Sequence, residues 1–168
     1  MKPGDHPDFF RLPAPEGRSR ESSIVLLKDG TFMHDGRPIT HRNMAKAFAS
    51  WIAYHPENGR FILSNGYDWS YFTVIDAPFF VTRILAHDEN TGPLIIELFD
   101  GTREPLLLDQ IEIGLDEALY CRVKNGKFEA RFSPSAQLQL APWLVEGVNG
   151  IEIEHLGHRA CPKQRISS

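Results

Sequence analysis

The stretch LYCRVKNGKFEARF, residues 119–132, constrains the fold more than any other. Two β-prone runs, 119–124 and 127–132, flank Asn125-Gly126, a dipeptide whose residues both tolerate the positive φ that a two-residue hairpin loop demands. Such a loop sets Lys124 opposite Lys127, Val123 opposite Phe128, Cys121 opposite Ala130 and Leu119 opposite Phe132. The last three pairs put apolar side chains on one face. Tyr120, Arg122, Lys124, Lys127, Glu129 and Arg131 fall on the other, with Glu129 directly opposing Arg122. Side chains alternate along a strand, so a one-residue slip would bury the charges, and the pattern selects one register.

The same reasoning runs along the chain. Residues 24–28 and 31–34 read as strands around a two-residue Asp29-Gly30 turn. Pro38 and Thr40 introduce a helix with Thr40 as its N-cap and Met44, Phe48, Trp51 and Ile52 as its buried stripe, ended by Pro56, Asn58 and Gly59. A meander follows, with strands over 60–64, 69–75, 79–87, 94–99 and 105–108, while 111–115 is ambiguous. Trp69 and Tyr71 share one strand face, which suits either a core or a stacked base. After the 119–132 hairpin, Ser133 and Pro134 form an N-cap and first-turn pair. They open a helix with Ala136, Leu140, Ala141, Leu144 and Val145 inward, which Pro142 must kink or end. Residues 151–155 read as a last strand. Residues 1–22 and 157–168, polar and without periodicity, read as a flexible arm and tail around an N-terminal half (23–78) and a C-terminal half (79–156).

Twelve prolines and thirteen glycines among 168 residues agree with a strand-rich chain full of turns. Hydrophobic residues at 42% suffice for a packed core and exclude a disordered chain. A net charge of −4 supplies no global basic field for a nucleic-acid polymer, and no apolar run is long enough for a membrane span. The opening MKPGDHPDFF is not apolar as a signal peptide would be, so the expected location is cytoplasmic. Two cysteines, Cys121 and Cys161, make no disulfide framework.

The two hairpin-helix stretches also resemble each other. VLLKDGTFMHDGRPITHRNMAKAFASWI and CRVKNGKFEARFSPSAQLQLAPWLV align Lys28 with Lys124, Gly30 with Gly126, Phe32 with Phe128, cap Thr40 with cap Ser133, and Trp51 with Trp143. The expected unit is hairpin, helix, strand, present twice, and the expected fold class is α+β with antiparallel sheets.

Three segments carry a family resemblance. GRPITHRNMAKAFASW (36–51) resembles the helix motif of the bacterial family known as domain of unknown function 1285, Gly-x-Pro-Ile-x-Arg leading into an amphipathic stretch. VIDAPF (74–79) is similar to the family's Val-Glu-Asp-Ala-Pro-Phe, and 122–130 to its Val-Arg-x-Gly-Leu-x-Ala. Asp68 stands where the family usually has Glu. The family's Arg after Pro-Ile falls on His41, with Arg42 adjacent, its Glu before Asp-Ala-Pro-Phe on Ile75, and its Lys after the conserved Glu on Trp69. The resemblance implies duplicated hairpin-helix motifs, a C-terminal half similar to pleckstrin-homology folds, and a groove between the halves holding a nucleotide-like ligand in a signalling setting. The groove residues would be His41, Arg42, Asp68, Asp76, Phe79, Arg122 and Arg131.

Chemistry on these residues has two readings each. Asp76 is either a groove carboxylate or the cap of a turn fixed by Pro78. His41 and Arg42 lie in a first helical turn, where an anion would meet free N–H groups, or are simply solvated. Arg122, Lys124, Lys127 and Arg131 form either a small phosphate-binding patch or a solvated face. His155, His158 and Cys161 fall short of the four ligands of a structural zinc site, and no metal or cofactor is expected. Catalytic signatures such as Gly-x-Ser-x-Gly, the P-loop and His-Glu-x-x-His do not occur, and Cys121 on the apolar face is no nucleophile. The leading expectation is a ligand-binding or sensor module. A protein-interaction adaptor is the alternative and an enzyme the third possibility.

Overall fold

The structure, a computed structural model, describes residues 1–86 and 92–166. Its architecture is α+β, and the chain divides into two compact units, Met1–Asp76 and Ala77–Ser168.

In the first unit, strands β1 (Val25–Leu26), β2 (Phe32–His34) and β3 (Arg37–Pro38) form an antiparallel meander. The expected two-residue Asp29-Gly30 turn is corrected. Leu26 pairs with Phe32 and the Leu27 N–H donates to the Thr31 carbonyl, leaving a three-residue loop, 28–30, in which Gly30 takes φ 90°, and the Thr31 N–H donates to Asp29 Oδ1. This register places Leu26 and Phe32, 0% and 1% exposed, on the same buried face. The two-residue turn lies one strand later, at Asp35-Gly36, with φ values of 51° and 74°.

Helix α1 (Arg42–Ser50) follows. Its N-cap is His41, not Thr40: the His41 Nδ1 accepts from the Met44 N–H at 3.3 Å. Its buried stripe is shorter than expected. Phe48 meets Phe32 edge-on at 5.7 Å and Ala49 is buried, whereas Met44 is 49% exposed. Ile52 belongs to the next element, because the helix stops at Trp51 and the chain enters a second meander. That meander is β4 (Ile52–Tyr54), β5 (Phe61–Ser64) and β6 (Trp69–Tyr71). The expected strand over 69–75 breaks at Phe72. β6 pairs with β5, while β7 (Thr73–Val74) returns to pair in parallel with β1, giving the sheet order β3-β2-β1-β7.

Residues 1–22 are not a loose arm. Phe9 is buried against Ile62 and Trp69, and Phe10 packs on His55 and Trp69. The buried His55 accepts the Glu57 N–H at Nδ1, so its Nε2–H is free to donate to the Phe10 carbonyl at 3.1 Å. Further on, the Tyr71 N–H donates to the Arg20 carbonyl, so this segment runs beside β6.

The second unit opens with β8 (Phe79–Ala86), β9 (Leu94–Leu98) and β10 (Arg103–Pro105), an antiparallel meander bulged between Val81 and Arg83. The expected end of the first of these strands, His87, lies outside the described residues. The strand expected over 105–108 is replaced by the tail of β10 and a 3-10 turn, Leu108–Gln110. Then come β11 (Glu112–Ile113), β12 (Leu119–Val123) and β13 (Phe128–Phe132). Here the hairpin has the expected register: Val123 faces Phe128, Arg122 faces Glu129 and Cys121 faces Ala130. Asn125 and Gly126 take φ 60° and 77°. Helix α2 (Pro134–Gln139) starts on Ser133, whose Oγ accepts the Ala136 N–H at 3.1 Å. Pro142 ends it, turning the chain into a 3-10 stretch, Ala141–Trp143. Ala141 is therefore exposed, and Leu144 and Val145 leave the helix for β14 (Leu144–Gly147). β15 (Gly150–His155) and β16 (His158–Ala160) complete a second three-stranded meander. Finally β17 (Lys163–Gln164) pairs in parallel with β11. The expected flexible tail is thus a hairpin strand and a sheet edge as far as residue 166, and residues 167–168 lie outside the described residues.

The duplication is complete in topology. Each unit holds a three-stranded meander, a helix, a second three-stranded meander, and a return strand parallel to the first strand of the meander that precedes the helix. The sheet order β3-β2-β1-β7 recurs as β13-β12-β11-β17, extended in the second unit by β8, β9 and β10. The sequence alignment of the hairpins is off by one strand: Asp35-Gly36, not Asp29-Gly30, matches Asn125-Gly126. Trp51 and Trp143 do correspond, each standing directly before the first strand of the second meander.

Candidate functional site

The first unit carries an open cleft of about 540 Å³. One wall is the segment Arg18, Ser19, Arg20, Glu21, Ser22, Ser23. The other is built from Phe48 and Trp51 at the end of α1 and from Leu63, Asn65, Asp68 and Trp69 on β5, β6 and the turn between them. The turn holds itself. Asn65 Oδ1 accepts the N–H groups of Tyr67 and Asp68, both at 2.8 Å, and Gly66 supplies the positive φ.

Arg20 fixes the two walls to each other. Its Nη1 donates to Asp68 Oδ1 at 2.7 Å and to the Trp69 carbonyl at 2.8 Å, and its Nη2 to the carbonyls of Leu12 and Pro13. Its guanidinium lies 4.4 Å from the Trp69 ring centroid, and its Nε is buried without a partner. Glu21 takes both nitrogens of Arg60, and the latter pairing pulls the Glu21 carboxyl below its ordinary range. Arg18 makes no side-chain hydrogen bond or ion pair among the described residues, so the cleft keeps one uncompensated guanidinium. Phe48 and Trp51, with ring centroids 5.5 Å apart, offer half-buried aromatic faces in the same space.

Of the residues expected at a site, Asp68 lies in this cleft. His41 and Arg42 are exposed at the start of α1, outside its lining, and His41 uses Nδ1 as the helix cap. Asp76 is half-buried at the end of the first unit. Phe79 is 2% exposed and packs on Phe99 and Phe128.

The polar face of the second hairpin also differs from expectation. Tyr120 is 1% exposed, because Arg165 from the end of the chain lies 4.0 Å over its ring and Arg131 donates to its hydroxyl. Burial works against the charge of Arg131, yet its bonds to Asp116 and Tyr120 outweigh that and hold it above the usual guanidinium value. Glu129 accepts two bonds from Arg165 and not from the opposing Arg122, which is exposed. Lys124 reaches Asp100 and Thr102, both at 2.8 Å. Burial, then the charges of Glu104 and Glu129, push the Cys121 thiol up, so it is no thiolate.

The residues missed by sequence reasoning are Arg18, the serines of 19–23 and Asn65. The run RSRESS, two arginines among three serines beside a strand, was the available signal. Nothing local in this run shows that its backbone is pinned to β6.

The second unit has a cleft of about 370 Å³ in the corresponding place, between the segment before β11 and the β15–β16 turn. Its lining is chiefly aliphatic, Leu94, Leu106, Leu107 and Leu156, with His158 Nε2 3.1 Å from Asp109 Oδ1. Among the described residues no helix is long and apolar enough to cross a membrane.

No family model and no curated protein matches the chain. Two solved structures do. A DUF1285 family protein from Silicibacter pomeroyi DSS-3 superposes with a TM-score of 0.67 at 17% identity, over 92% of this chain and 92% of that one. A DUF1285 family protein from Shewanella baltica OS155 gives 0.57 at 17% identity, over 74% of this chain and 94% of that one. The chain therefore has the fold of the DUF1285 family proteins, with its duplicated order of meander, helix, meander and return strand.

Proposed function

We propose that the protein is a small-molecule-binding module with a sensing role, and that its ligand is nucleotide-like and sits in the cleft of the first unit. The observation that carries this reading is the chemistry of one space: aromatic faces on Phe48 and Trp51, an uncompensated guanidinium on Arg18, and serine, Asn65 and Asp68 groups between them. A planar base stacks on aromatic rings, and a guanidinium fork matches a phosphate. A volume of 540 Å³ lies in the range of small-ligand sites.

The test is thermal unfolding against nucleotides, dinucleotides and cyclic nucleotides. A ligand at about one hundred times its dissociation constant adds ~2.7 kcal/mol, which moves the midpoint by roughly 5–10 °C on a chain of this size. Trp51→Ala is expected to abolish the shift and Arg18→Ala to reduce it. No shift across the panel refutes the reading.

A protein-interaction adaptor is the second reading. It is favoured by the β14–β15 hairpin, where Leu144 on β14, Val148 in the connecting turn and Ile151 on β15 are exposed. An Ile151→Asp variant that melts normally but loses a partner held by the native chain would support it.

A further inference from the structure

We infer that the β5–β6 turn is a clamp for two neighbouring hydroxyl groups of a sugar, which narrows the ligand class to ribose-bearing molecules; the inference rests on the cleft being the ligand site. Asp68 carries the acceptor. Its Oδ1 is occupied by Arg20 Nη1 at 2.7 Å and by the Trp69 N–H at 2.9 Å. Its Oδ2 has no hydrogen-bond partner among the described residues, and half of the side chain is open to the cleft. Asn65 carries the donor. With Oδ1 taken by two backbone N–H groups of the turn, its Nδ2 amide hydrogens are left for the cleft.

A fixed acceptor and a fixed donor on one four-residue turn suit a vicinal diol. One hydroxyl donates to Asp68 Oδ2, and the oxygen of its neighbour accepts from Asn65 Nδ2. The same carboxylate repels an anion, so the phosphate belongs at Arg18. Both polar groups are oriented before the ligand arrives, which lowers the entropic cost of binding. A site built around hydroxyl groups rejects the analogue that lacks one, because its own polar atoms are then left unmatched.

The experiment is calorimetric titration of the full chain with adenosine 5′-monophosphate and its 2′-deoxy analogue. The native protein is expected to prefer the ribonucleotide about tenfold, the size of a hydrogen bond to a charged group. Asp68→Asn and Asn65→Asp each keep the turn's internal bonds but remove one ligand-facing partner. Each is expected to weaken the ribonucleotide about tenfold; the variant at the residue facing the 2′-hydroxyl leaves the deoxynucleotide unchanged, and the variant facing the 3′-hydroxyl weakens both. Equal affinity for the two nucleotides, or equal loss of both nucleotides in both variants, overturns the clamp and leaves the cleft reading standing. If neither nucleotide binds, the nucleotide reading fails. Ribose 5-phosphate against 2-deoxyribose 5-phosphate then decides the clamp, with a tenfold preference supporting it and no preference refuting it.

Discussion

The two units share one topology and diverge where it leaves room for function. In each, the segment before β1 or its counterpart β11 and the last turn of the second meander line a cleft. In the first unit that cleft has Arg18, Arg20, Asn65 and Asp68. In the second it has leucines and a His158–Asp109 pair. The ion pairs divide differently. Arg20–Asp68 leaves half of the aspartate exposed, whereas Lys124–Asp100 buries its carboxylate almost completely. A duplicated scaffold keeps the backbone plan because the plan is set by sheet pairing and a few core positions. The polar groups of the cleft walls stand chiefly on loops and turns, which tolerate change, so one copy is free to hold polar chemistry while the other is lined by apolar side chains.

The comparison can be broken at its equivalent cores. Ile62 and Ile153 are the fully buried residues at the centre of β5 and β15. Ile62→Ala and Ile153→Ala are each expected to cost about 2–5 kcal/mol in denaturant unfolding. A loss below 1 kcal/mol in either would show that its meander is not a true core.

The ion pairs come next. Lys124→Ala strands the buried Asp100 carboxylate and is expected to cost ~3 kcal/mol. Arg83→Ala, which removes one of two exposed partners of Glu97, is expected to cost at most ~1 kcal/mol. Chemical denaturation of both variants ranks them, and equal values would refute the contrast.

Acid titration probes the same pair. Burial raises the Asp100 carboxyl, but bonds from Lys124 and Thr102 outweigh it and hold the group below its ordinary range. A depressed folded value means that the stabilisation is complete above the unfolded value, about 4, and is lost as pH falls below it. Melting between pH 6 and 2 is expected to show this loss in the native chain and a smaller one in an Asp100→Asn variant.

The smallest effect distinguishes the two helix caps. Ser133→Ala is expected to cost about 1 kcal/mol. His41→Ser, which installs a better cap, is expected to stabilise by a few tenths, read as a small rise in the melting midpoint. A loss in the histidine variant would mean that His41 does more than cap α1.

How much of this was legible follows from how far each signal reaches. The 119–132 hairpin was legible because turn chemistry and alternation on two adjacent strands point to one register. The first hairpin was misread by one residue, since Asp29-Gly30 suits both a two- and a three-residue loop. The choice fell to Leu26 and Phe32, which had to share the buried face. Met44 follows the helical period, but α1 offers the core only Phe48 and Ala49. At the cleft, Asp68 was marked by resemblance, whereas Arg18 and Asn65 were invisible until Arg20 and β6 placed them.

The sequence by itself determined the α+β class, the 119–132 register, the Ser133-Pro134 helix start and the existence of a repeat. All of these rest on contacts between residues a few positions apart, where φ preference and side-chain alternation act directly. Tertiary structure alone decided the parallel returns of β7 and β17, the packing of Phe9 and Phe10, the burial of Tyr120 under Arg165, and the walls of the cleft. Each of these joins residues roughly fifty positions apart. Such contacts are chosen by the sum of burial and backbone pairing over the whole unit, and no local run of residues carries that sum.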